Sequence, residues 1–137
     1  MDLWFRRIVG WSIRETMEES LVQQGFDHAL QQRKPDPGLL HHADQGSQYT
    51  ANGFRGQLRL RRIVESNSRK GNVWDNAVME SFFSSVEMEL LRLKPFKTQA
   101  EAIQEVFSYI EVFYNRQRIH STLGGCSPVE FEQSYTN

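Results

Sequence analysis

The stretch LLHHADQGSQYTANGFRGQLRL, residues 39–60, joins an apolar run to a small polar turn and then to a segment with helical character. LLHH reads as a short buried strand that delivers Asp44 just past its end, and Thr50 is placed to cap a helix reaching about Leu60. The same alternation extends outward. RRIVGWSI (residues 6–13) has the Ile, Val and Trp content of a strand, and residues 17–32 carry Leu21, Val22, Phe26 and Leu30 at helical spacing. KPDPG (34–38) is a turn by its prolines and glycine. RRIVES (61–66) reads as a third strand, NSRKGN (67–72) as a polar loop, and a further helix is predicted from near Asp75 to about Leu91. On that helix Met79, Phe82, Phe83, Val86 and Leu90 form a buried stripe, with Glu80, Ser84 and Glu87 in a second row about a hundred degrees round.

A chain of 137 residues, 39% hydrophobic and 12% aromatic, is the size and balance of one globular domain. No apolar run is long enough for a membrane span and no secretory leader is legible, so a cytoplasmic location is expected. The single cysteine, Cys126, excludes an internal disulfide framework and a cysteine-based zinc cage. Net charge is −1, but the charges are uneven: residues 55–70 hold Arg55, Arg59, Arg61, Arg62, Arg69 and Lys70 against Glu65, and NRQRIH (115–120) adds Arg116, Arg118 and His120. Such runs fit either a solvated face or a nucleic-acid surface. Taken alone, Asp44 before Gln-Gly-Ser is a turn former, and Glu80 is a first-turn acid that suits the helix dipole.

Three blocks change that reading. HHADQGSQYT (41–50), SRKGNVWDNAVMESFF (68–83) and YIEVFYNRQRIHSTLGGCSPVEF (109–131) resemble consecutive blocks of the integrase-like catalytic core of bacterial insertion-sequence transposases, the second-reading-frame product of the group related to retroviral integrases. The likeness covers essentially the whole chain from DLWFRRIVGW onward. It implies a ribonuclease-H-like α/β core over residues 1–93 with a C-terminal helical extension over 94–137. It also implies DNA cleavage and strand transfer on transposon ends and target DNA. Asp44 matches the family's second catalytic, metal-holding acid and Glu80 its third, separated by the 35 residues 45–79. Two Mg²⁺ or Mn²⁺ ions can activate the attacking oxygen and stabilise the leaving one, and such hard cations prefer carboxylate oxygens. Arg62, Arg69, Lys70, Arg116, Arg118 and His120 are the expected DNA contacts.

Three departures bear on activity. The family's first catalytic Asp belongs to a strand before the block that begins here at Asp2, so the resemblance implies a core lacking its first strand or strands, and activity of the chain is left open. Asp2 itself matches the hairpin framework that follows that strand. Seven residues after Glu80, where the family usually has Lys or Arg, stands Glu87, whose charge opposes DNA phosphate. Phe5 takes a place where a small polar residue is common. The alternative is a non-catalytic DNA-binding or interaction fragment that modulates full-length transposase or self-associates, or an inactive remnant. Trp74, Asp75 and Asn76 open the catalytic helix with Asp75 or Asn76 as its cap, Gly46 and Ser47 fit a tight turn, and Tyr109, Phe113 and Tyr114 are expected to bury one helix face.

Overall fold

The computed structural model describes residues 1–16, 18–44, 46, 49, 51–67 and 76–136. The Thr50 cap, the loop residues 68–72, Ser47, Trp74 and Asp75 lie outside them. The chain forms two compact units, one of residues 10–80 and one of residues 1–9 with 81–137.

In the first unit, helix α1 (Glu19–Arg33) precedes strand β1 (Leu40–Ala43), helix α2 (Asn52–Leu60) and strand β2 (Val64–Asn67). β1 and β2 pair in parallel, Leu40 with Val64 through Ala43 with Asn67. Parallel neighbours cannot be joined by a tight turn, and α2 lies in the crossover. Phe54 and Leu58, four residues apart on α2, are almost wholly buried, each worth about 1.5–3 kcal/mol of apolar burial. They form a core with Phe26 of α1 and Ile63, against which Val22, Leu30 and Tyr49 pack. The ring of His41 from β1 stands 5.4 Å from that of Phe26 and 5.5 Å from that of Phe54. The return from α2 to β2 turns through Arg62 in the left-handed region (φ 54°), and the Gly38 N–H donates to the Arg62 carbonyl at 2.9 Å.

Residues 6–13, read above as a strand, join no β-ladder among the described residues. Their backbone is held by other means. Gly10 crosses α1 so closely that a Cβ there would lie 2.6 Å from the Ala29 Cβ and closer still to the Gly25 carbonyl oxygen. The Ser12 hydroxyl donates to the Leu21 carbonyl at 2.7 Å.

In the second unit, helix α3 (Ala77–Val86), whose first residues belong to the other unit, widens into a π-helical turn at Glu87–Leu91. Helix α4 (Gln99–Phe107) continues as a π-helical segment, Ser108–Tyr114. A 3₁₀ turn (Ser121–Leu123) and helix α5 (Pro128–Thr136) follow. α4 starts at Thr98, whose hydroxyl accepts the Glu101 N–H at 3.1 Å. α5 starts with a capping box: the Ser127 N–H donates to Glu130 Oε2 at 2.9 Å and the Glu130 N–H to the Ser127 hydroxyl at 3.4 Å, with Pro128 at the first helical position. Of the predicted stripe, Phe82 and Leu90 are buried, Met79 and Val86 half-buried and Phe83 exposed. Phe82 meets Tyr114 edge to face, with ring centroids 4.9 Å apart. The Asn115 side chain, 1% exposed, accepts the Ile8 N–H at 2.9 Å and donates to the Ile8 carbonyl at 3.0 Å. Arg7 pairs with Glu132 of α5.

Three substitutions test this description. Asn115→Ala strands both peptide groups of Ile8 and should cost about 2–4 kcal/mol in urea unfolding. Gly10→Ala should cost about 1–3 kcal/mol through overpacking against α1. Gly56→Ala, on the open side of α2 where a Cβ meets nothing within 4 Å, should be neutral or stabilising by up to about 1 kcal/mol.

Candidate functional site

Asp44 follows the last residue of β1 and is exposed. Its Oδ1 accepts the Gly46 N–H at 2.8 Å, an Asx turn that fixes the carboxylate at the strand end. Glu80 is the fourth residue of α3, in the first turn, and is exposed. Both lie in the unit of residues 10–80. Asp2 plays a different part. Its Oδ1 accepts the Trp4 and Phe5 N–H groups at 3.0 and 3.1 Å, so the carboxylate organises the N-terminal turn.

Two carboxylates are the right donor chemistry for a hard divalent cation, but among the described residues no group of three or more His, Cys, Asp or Glu gathers.

The basic residues divide by environment. Arg62 and Arg116 are exposed, whereas Arg69 and Lys70 lie outside the described residues. Arg55 is tied to Glu65 at 2.9 Å, and Asn67 donates to the same oxygen at 3.0 Å. Those contacts, Asn67 foremost, hold the Glu65 carboxyl below its usual range. Arg118 is half-buried. Its Nε donates to both oxygens of Glu89 at 3.0 Å and its Nη2 to Oε1 at 2.7 Å, while the Tyr109 hydroxyl donates to Oε2 at 2.7 Å. The Arg118 hydrogen bonds hold Glu89 below the ordinary carboxylate range. Burial and then Glu89 push the Tyr109 phenol well above its own. His120 packs on Tyr114 with centroids 5.0 Å apart, and its Nε2 is buried without a partner among the described residues. Burial and then the Arg118 charge lower its pKa. Glu87 is exposed and pairs with Arg92 at 2.9 Å.

Comparison with known proteins places this arrangement. Two models described as Integrase core domain match residues 1–73 and 80–135. The chain belongs to the integrase core domain family. Among similar proteins are the transposase for insertion sequence element IS904 of Lactococcus lactis subsp. lactis (47% identical, 97% of this chain, 53% of the relative) and the transposase InsF for insertion sequence IS3A of Escherichia coli K12 (39%, 96% and 46%). A third is the insertion element IS600 uncharacterized 31 kDa protein of Shigella sonnei (42%, 98% and 49%). The chain thus spans about half the length of the curated relatives it matches. In fold it is similar to the catalytic core domain of BIV integrase, with a TM-score of 0.53 at 20% identity over 88% of this chain and 77% of that one. The ribonuclease-H-like α/β fold read from the sequence is borne out.

In this integrase-core chain two important groups escaped the sequence reading. Glu89, in the π turn after α3, gave no signal, because its 29-residue separation from Arg118 hides an ion pair made of three hydrogen bonds. Asn115 sat in NRQRIH as an ordinary polar residue, with no signal that it partners Ile8. No helix among the described residues is long and apolar enough to cross a membrane.

The two lowered histidines set a pH dependence. Burial depresses the pKa of His41 and of His120 below 6.5, so the unfolded chain binds more protons in the window between those lowered values and 6.5. Stability should therefore be fully present above about pH 7 and decline as pH falls through that window. Urea unfolding from pH 7.5 to 5 should show the decline, and His41→Phe should flatten part of it.

Proposed function

We propose that this chain is the integrase-core part of an insertion-sequence transposase that cuts and joins DNA, with Asp44 and Glu80 as two of the carboxylates that hold Mg²⁺ or Mn²⁺. The observation that carries this reading is the 39–47% identity to insertion-sequence transposases over almost the whole chain, combined with an exposed acid at a strand end and another in a helix's first turn. The ions would activate the attacking oxygen and offset charge on the leaving one. The chain spans about half the length of these relatives, and no catalytic step is assigned to it by itself. Its own contribution is to fix Asp44 through the Gly46 amide, to present Glu80 from α3, and to offer exposed Arg62 and Arg116 to DNA phosphate. Transposon ends, target DNA and full-length transposase are the partners in this reading.

The purified chain should bind duplex DNA in a salt-dependent manner yet leave insertion-end duplexes uncut in Mg²⁺ or Mn²⁺. Cleavage by the chain, lost on Asp44→Asn, would show that this chain alone holds a complete donor set. In the complete element, Asp44→Asn or Glu80→Gln should lower transposition by more than about 100-fold, the upper end of what losing a supporting residue around a metal costs. A near-normal frequency would remove these two acids from the site.

Glu87→Lys reverses an exposed charge and releases Arg92 from its ion pair. In a salt titration on one duplex, the slope of log affinity against log salt should steepen by about 0.9 for each further phosphate neutralised, up to about two phosphates. An unchanged slope would mean that this face of the helix does not meet DNA.

A further inference from the structure

Arg118 is held in a way that leaves one edge of its guanidinium unused. Nε and Nη2 are committed to Glu89, and Nη2 also donates to the Ser85 hydroxyl at 3.4 Å. The Tyr109 hydroxyl fixes the Glu89 carboxylate from its other oxygen, and the Arg118 Cζ lies 5.9 Å from the Tyr114 ring centroid. A guanidinium has five N–H donors, and those of Nη1 meet no partner among the described residues. Nη1 is also not one of the buried polar atoms that lack a partner, so it opens to solvent at a side chain 26% exposed. Arg6 is near enough for its charge to act on both Tyr114 and His120, and it forms no ion pair among the described residues.

We propose that the Nη1 edge of Arg118 receives a non-bridging oxygen of a DNA backbone phosphate, and that Glu89, steadied by Tyr109, is the positioning residue that aims it. This rests on the DNA reading given above. A carboxylate on the Nε edge fixes the plane of the guanidinium, and so fixes the direction of the Nη1 N–H donors left for a phosphate oxygen. Lysine in its place carries the charge without the plane, so neither the grip of Glu89 nor the direction of the donor survives.

The test is fluorescence anisotropy of a labelled duplex with the whole chain and with Arg118→Lys, Glu89→Gln and the double variant. Each single change should weaken binding several-fold, and the double variant should bind no more weakly than Arg118→Lys, because Glu89 acts only through Arg118. Arg118→Gln should flatten the salt slope by about 0.9, one phosphate's worth. Tighter binding by Glu89→Gln would make Glu89 a competitor of DNA, and additive losses would make it an independent contributor; either overturns the proposal. If Glu89→Gln does not fold by thermal unfolding, Tyr109→Phe, which removes only the hydrogen bond to Oε2, should weaken binding about two- to threefold, and unchanged binding would overturn the proposal. Should the unaltered chain fail to bind duplex at all, the DNA reading fails. The edge is then read by NMR of the Arg118 Nε–H during titration with inorganic phosphate: a saturable shift supports an aimed anion contact, and no shift overturns it.

Discussion

A buried peptide group must find a partner, and for Ile8 that partner is a side chain. The Asn115 amide offers one acceptor and one donor at the spacing a neighbouring strand would provide, and so replaces two ladder bonds with one residue. Much else in this unit follows from that substitution. With Ile8 fixed, Arg7 reaches Glu132, and Phe5 and Trp4 reach the rings of Phe131 and Tyr135 on α5, with centroids 6.0–6.3 Å apart. The capping box at Ser127 sets where α5 begins and therefore which of its residues meet the N-terminal segment.

In the unit of residues 10–80 the governing constraint is the parallel pairing of two four-residue strands. The chain must travel back across the sheet between them, and it does so on a helix whose Phe54 and Leu58 supply the core. Asp44 stands where the chain leaves β1 for that crossover. An acid at the exit of a strand is held by a short turn yet left open to solvent, which suits a group that must meet a charged ligand.

The sequence made the helices and the paired strands legible because their signals are local. α3 with its π turn ends at Leu91 as the apolar stripe indicated, α1 lies within about two residues of its expected span, and LLHH and RRIVES contain most of β1 and β2. The segment 6–13 misled because β-branched content reports a preference for extended backbone, not the identity of the partner. Of the candidate site, Asp44 and Glu80 could be named from the sequence, and the structure has them exposed at a strand end and in a first turn. The environment of Arg118 was not, since an arginine in NRQRIH looks solvent-facing until Glu89, from a different helix, is placed against it. Long-range ion pairs leave no periodic trace in a sequence.

The wide turn at Glu87–Leu91 has a bearing on how the helix that carries Glu80 can be counted. There the Arg92 N–H bonds to the Glu87 carbonyl, five residues back, at 3.0 Å, so the turn holds one residue more than an α-turn does. Counting by sevens from Glu80 is sound as far as Val86 and then loses phase, by up to the roughly 100° that a single residue occupies on an α-helical wheel. Glu89 sits inside this widened turn. Its orientation toward Arg118 and Tyr109 is thus a property of the inserted residue as much as of its own chemistry, and a helix of equal composition but one residue shorter would aim that carboxylate elsewhere.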